Sequence, residues 1–108
     1  NHGFVYEGTR GWRLSPAYDL NPVPVDIKPR ELTTAINAED TTASIDLAFE
    51  VAGYSELKDH QARAVAGDVA KGVSPWRHVA ARLGIDKKEI DRIASAFEHE
   101  DLRKAIRP

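Results

Sequence analysis

The chain has 108 residues, with 15 basic against 17 acidic side chains and a formal net charge of −2. That length suits one domain with an apolar core of its own, and the near-neutral balance gives no general support for binding nucleic acid or an anionic membrane. The lack of cysteine excludes disulfides, zinc–thiolate sites and a thiol nucleophile. No apolar run approaches the roughly 18 residues needed to span a bilayer, so a cytoplasmic protein without membrane association is expected.

The chain opens on Asn1-His2-Gly3-Phe4, without an initiator Met or a polar lead-in, and is expected to be a piece of a longer protein. Gly3-Phe4-Val5-Tyr6-Glu7 favours a strand with Phe4 and Tyr6 on one face. The glycine-flanked turn Gly8-Thr9-Arg10-Gly11 leads into a second strand, Trp12-Arg13-Leu14, and the whole reads as a β-hairpin. Pro16, Pro22, Pro24 and Pro29 then exclude helix and imply an ordered, extended connection. Residues 31–36 suggest one more short strand, within a β-like, proline-rich unit over 1–41.

Residues 42–108 change to a helical period. Ile45, Ala48, Phe49 and Ala52 form one apolar stripe, ended by Gly53. Ser55 is placed to cap the next helix, with Glu56 and Asp59 at its positive end. Ala62, Val65, Val69, Trp76, Ala80 and Leu83 mark a second stripe whose phase runs through Pro75, which predicts a kinked or nearly coaxial helix. Gly84 ends that helix. Asp86 and Glu89 form a D-x-x-E capping box, Ile85 and Ile90 a hydrophobic staple, and a helix over 86–97 follows.

Glu98-His99-Glu100-Asp101 reads as a solvated acidic corner leading into a short final helix with Leu102 and Ile106. The predicted class is α+β: an N-terminal hairpin and proline-rich connection, then three or more helices that carry the core. Trp12 and Trp76 are read as core anchors, and His2, His60, His78 and His99 as surface groups without metal-ligand spacing.

One constellation carries chemistry. Antiparallel pairing brings the start of the first strand beside the end of the second, so Asn1 and Asp19 can converge. An amide oxygen and a carboxylate are the hard ligands that a magnesium–phosphate site takes, and protein kinases use the order Asn, hairpin, metal-binding Asp. The same two residues also serve as ordinary turn formers.

Asn1-His2-Gly3-Phe4 with Gly11-Trp12-Arg13-Leu14-Ser15-Pro16-Ala17-Tyr18-Asp19-Leu20-Asn21-Pro22 resembles the C-terminal lobe of HipA-like serine/threonine kinases, the toxins of bacterial type II toxin–antitoxin systems. The likeness continues through Glu31-Leu32-Thr33-Thr34-Ala35-Ile36 and the segments starting at Trp76 and Ile90, and its most specific part is Pro-Ala-Tyr-Asp-Leu. It implies a fragment of a kinase-like C-lobe. Asn1 matches the last residue of the catalytic loop, a metal ligand, and Asp19 matches the Asp that binds magnesium bridging the ATP phosphates. Tyr18 and Leu20 would pack around that Asp.

The family's general base Asp and its partner His fall before Asn1, and the ATP-binding lobe lies further upstream. The resemblance therefore implies a parent that uses Mg and ATP, phosphorylates a protein substrate and meets a DNA-binding antitoxin. The fragment alone is expected to be inactive, with neither group bound. It is also expected to self-associate through apolar surface around Phe4, Trp12 and Leu14.

Two other readings stand beside this one. Residues from Trp76 to the capped last helix also fit a helix-turn-helix, although Asp86, Glu89, Asp91 and Glu98 offset Lys87, Lys88 and Arg92 on the would-be recognition helix. Direct nucleic-acid binding is therefore not expected. A non-catalytic helical interaction module is the second reading, ahead of the helix-turn-helix.

Overall fold

The computed structural model describes residues 2–107. Strand β1 (Phe4–Tyr6) pairs antiparallel with β2 (Trp12–Leu14), in the register Phe4 with Leu14, Val5 with Arg13 and Tyr6 with Trp12. A 3-10 turn, Gly8–Arg10, joins them, and the positive φ of Gly8 and Gly11 explains the glycines that flank it. A long connection follows. The third strand expected over 31–36 is reduced to a single bridge, Glu31 with Thr42, because residues 32–40 turn back on themselves too tightly to extend a ladder. Asn37 Oδ1 accepts the backbone N–H groups of Glu39 and Asp40, an Asx turn that diverts this backbone from sheet pairing.

Among the described residues five α-helices follow: α1 (Ile45–Val51), α2 (Asp59–Val73), α3 (Trp76–Arg82), α4 (Lys87–Arg92) and α5 (Glu100–Ile106). The α+β class is as read from the sequence. Three local expectations are corrected. Ser55 lies in a 3-10 turn (Ala52–Ser55) and α2 starts at Asp59, with Gln61 Oε1 accepting the Lys58 N–H at 2.9 Å. Glu56 instead takes the left-handed conformation that breaks the chain between the helices. The helix expected over 86–97 ends at Arg92 and gives way to a 3-10 turn at Ala94–Ala96.

At Ser74-Pro75 the helical axis is interrupted by a two-residue turn. Ser74 keeps right-handed φ and ψ, its N–H bonds Ala70 O, and Val79 N–H bonds the Pro75 carbonyl. The proline therefore sits where its missing N–H is least costly.

α2 packs on α5, α1 touches both, and α3 packs on α4. The apolar core comprises Ala52, Ala62, Ala70, Trp76, Ala80 and Ile90. Trp76 stacks on Phe97 with ring centroids 4.4 Å apart, and Ile93 and Ala94 close around them. Val65, Val69 and Leu83, expected inside, are exposed. The buried positions of α2 and α3 are instead Ala62, Ala70, Trp76 and Ala80, and a Cβ at Gly67 would make an ordinary contact, 3.5 Å from the Ala105 carbonyl of α5. Trp12, expected to anchor a core, is 68% exposed, and Phe4, Tyr6 and Leu14 are exposed with it. The radius of gyration, 16.0 Å, exceeds the roughly 13 Å of a compact chain this long.

Candidate functional site at the foot of the hairpin

The hairpin closes below its last ladder pair through a short network. Ser15 N–H donates to Gly3 O at 2.7 Å, and Gly3 N–H donates to Ser15 Oγ at 3.1 Å. Tyr18 Oη donates to His2 O at 3.2 Å. Register explains this arrangement: because Phe4 faces Leu14, Gly3 faces Ser15, and the chain beyond Ser15 stays against the chain before Gly3. At its far end, Glu7 pairs with Arg13 across the strands.

Asp19 follows directly after Tyr18 at φ 52°, a left-handed conformation. That region costs an L-residue roughly 1–2 kcal/mol, and Asp tolerates it better than most. Asn21 Nδ2 donates to Asp19 Oδ1, so the carboxylate is oriented from two residues downstream. Asp19 is solvent-exposed. Tyr18 and Leu20, expected to pack around it, are 54% and 71% exposed; Tyr18 is committed to His2 instead. Asn1, the other expected ligand, lies outside the described residues.

An exposed carboxylate held by a neighbouring amide fits one hard-oxygen position of a magnesium ion, which takes one or two carboxylates and completes its shell with phosphate and water. Among the described residues no three His, Asp or Glu side chains gather to hold a metal unaided. A cation at Asp19 would therefore be held only weakly by the chain itself, and more firmly once phosphate oxygens complete its shell. A depression of about 760 Å³ lies elsewhere, between Asn37, Glu39, Glu50 and Tyr54.

Sequence reasoning missed two charged hubs. Arg77 pairs with Asp91 at 2.8 Å and with Glu98, while its guanidinium lies 4.8 Å from the centre of the Trp76 ring. Arg30 reaches His99 and Asp101, so the corner read as solvated is half-buried at both residues. His2, His60 and His78 are exposed as expected; His99 is the exception. No helix is long and apolar enough to cross a membrane among the described residues. Compared with protein-family models, curated proteins and solved structures, the chain matches none.

Proposed function

We propose that this chain is the C-terminal portion of a HipA-like serine/threonine protein kinase from a bacterial cytoplasm. In that reading Asp19, with Asn1, holds the magnesium of MgATP. The bound ion would supply charge neutralisation on the phosphates during transfer of the γ-phosphoryl group to a protein hydroxyl. This chain's residues would do the positioning. Asp19 offers its carboxylate, Asn21 orients it, and Ser15 and Tyr18 hold the two ends of the hairpin together. The general base and nucleotide cradle would come from upstream segments of the parent. The helices would buttress the site and present a surface to an antitoxin.

The observation that supports this best is the Tyr18–His2 hydrogen bond. It joins the residue before Asp19 to the residue after Asn1, as convergence of those two ligands requires. The exposed face of Phe4, Tyr6, Trp12 and Leu14 adds support, since a two-stranded ribbon alone is marginal in water and a larger lobe would cover it. That same face also favours a non-catalytic interaction module, which predicts no response to divalent cations.

Paramagnetic Mn²⁺, added to the isotope-labelled chain, tests the reading. Broadening that centres on Tyr18, Asp19, His2 and Gly3, and disappears in Asp19→Asn, is the expected result. Broadening confined to other acidic surfaces overturns it. So does an upstream coding sequence without Asp-x-His-x-x immediately before Asn1. In the full-length parent, Asp19→Asn should abolish phosphoryl transfer.

A further inference from the structure

Arg30 fastens the proline-rich connection to the C-terminal corner of the helices. Its Nη1 lies 3.3 Å from His99 Nδ1, and its Nη2 lies 2.6 Å from Asp101 Oδ2. Arginine can only donate, so His99 must receive that hydrogen bond through an unprotonated Nδ1, with the ring neutral and its proton on Nε2. Protonating the ring removes the acceptor and sets an imidazolium against a guanidinium.

We propose that the Arg30–His99–Asp101 cluster is a proton-operated latch: closed while His99 is neutral, and released when it is protonated, freeing the connection around Arg30 from α5. The inference is independent of the kinase reading.

The latch is one of two polar ties from this connection to the C-terminal part of the chain that the described residues show; the other is Ser95 Oγ to Asp26 Oδ1 at 3.2 Å. Arg30 also sits at the mouth of a closed loop. Ala43 N–H bonds the Arg30 carbonyl, Leu32 N–H bonds Thr41 O, and Glu31 bridges Thr42. Release of Arg30 therefore loosens both ends of that loop just ahead of α1.

The charged groups facing His99 are Arg30 from the connection and Asp101 and Arg103 from α5. α1 and α2 line the adjoining cavity, about 420 Å³, with Ile45, Ala66, Ala70 and Val73, none of which titrates. Two cations thus oppose one carboxylate, and Asp101 Oδ2 faces the Arg30 guanidinium as an ion pair at 2.6 Å. Burial first, then Arg30, holds the His99 ring below its ordinary value; Asp101 opposes this and Arg103 adds to it.

In the released state the ring returns to an ordinary value near ~6.5. The closed state is then fully favoured above that pH and loses ground below it. The opening constant rises about tenfold for each unit by which the closed-state value is depressed.

NMR on the intact chain provides the test, following the His99 ring titration and the exchange of the Leu32 and Ala43 amides from pH 7.5 to 5. Exchange is corrected for its intrinsic pH dependence, and α2 amides serve as reference. Wild-type protection should fall by that factor, while His99→Gln, whose amide oxygen accepts from Arg30 at every pH, should stay flat. Constant protection in the wild type, or an equal fall in His99→Gln, overturns the latch. Should the variant not fold, the wild type alone decides: a His99 midpoint below 6.5 that the two amide shifts follow supports it. A midpoint at or above 6.5, or amides that do not follow the ring, overturns it.

Discussion

Tyr18 and His2, 16 positions apart in sequence, are joined by a hydrogen bond from the Tyr18 hydroxyl to the His2 carbonyl. The bond lies beyond the last ladder pair, so it sets how far the hairpin stays closed toward Asp19. Tyr18→Phe keeps the ring and removes only the donor. Because the site is half open to water, the expected loss is about 1 kcal/mol in local opening, with little change in global stability. Faster amide exchange at Gly3 and Ser15, with α2 unaffected, is the readout.

Trp76 carries the largest single packing contribution, since it is the only aromatic ring in the buried core of the described residues and it stacks on Phe97. Trp76→Ala should cost about 3–5 kcal/mol. The urea midpoint followed by circular dichroism measures this without depending on indole fluorescence. A loss below about 1 kcal/mol would mean that the α3–α4 corner repacks around the gap.

The Arg77 hub makes stability depend on acid. Its hydrogen bond to Glu98 holds that carboxyl below the ordinary carboxylate range. Asp59 is lowered by Arg63, and Asp40 by the Thr42 side chain and backbone. For each, the folded value lies below the unfolded one. The stabilisation is therefore complete above the unfolded value, near ~4, and is lost as pH falls through the folded value. Arg77→Gln should leave stability near pH 7 little changed, because both partners are exposed and solvent-screened. The same small amount should disappear from the fall of the urea midpoint below about pH 4.

Local patterns were the legible part of this chain. The hairpin follows from alternating aromatic and branched residues around a glycine-flanked turn, and the start of α4 follows from Asp86, which accepts the Glu89 N–H at 2.9 Å. Asp19 stood out in the sequence, but the Tyr18–His2 tie did not: Tyr18 was expected to pack around Asp19, and its hydroxyl bonds the His2 carbonyl instead. The left-handed backbone of Asp19 had no signal beyond Asp being tolerant of it.

Tertiary choices were not legible. The second stripe weighted Val65, Val69 and Leu83 as core because they are large and apolar, yet the buried positions of α2 and α3 are Ala62, Ala70, Trp76 and Ala80, and periodicity alone does not say which side of the stripe a neighbouring helix covers. The Arg30 and Arg77 hubs join residues far apart in sequence, where neither periodicity nor spacing carries information. His99 looked like any surface histidine until Arg30 was placed beside it.

Gly84 allows strain and clash to be separated. Its φ is +85°, and it ends α3 with Gly84 N–H on Ala81 O at 3.0 Å and Ile85 N–H on Ala80 O at 3.1 Å. Nothing lies within 4 Å of where a Cβ would stand. Gly84→Ala should therefore lose about 1–2 kcal/mol through backbone strain alone, measured by urea unfolding. Gly84→Asn, though larger, should recover part of that loss because its side chain tolerates the left-handed region. If Asn proves worse than Ala, size rather than conformation governs the position, and the turn between α3 and α4 is more crowded in solution than its geometry indicates.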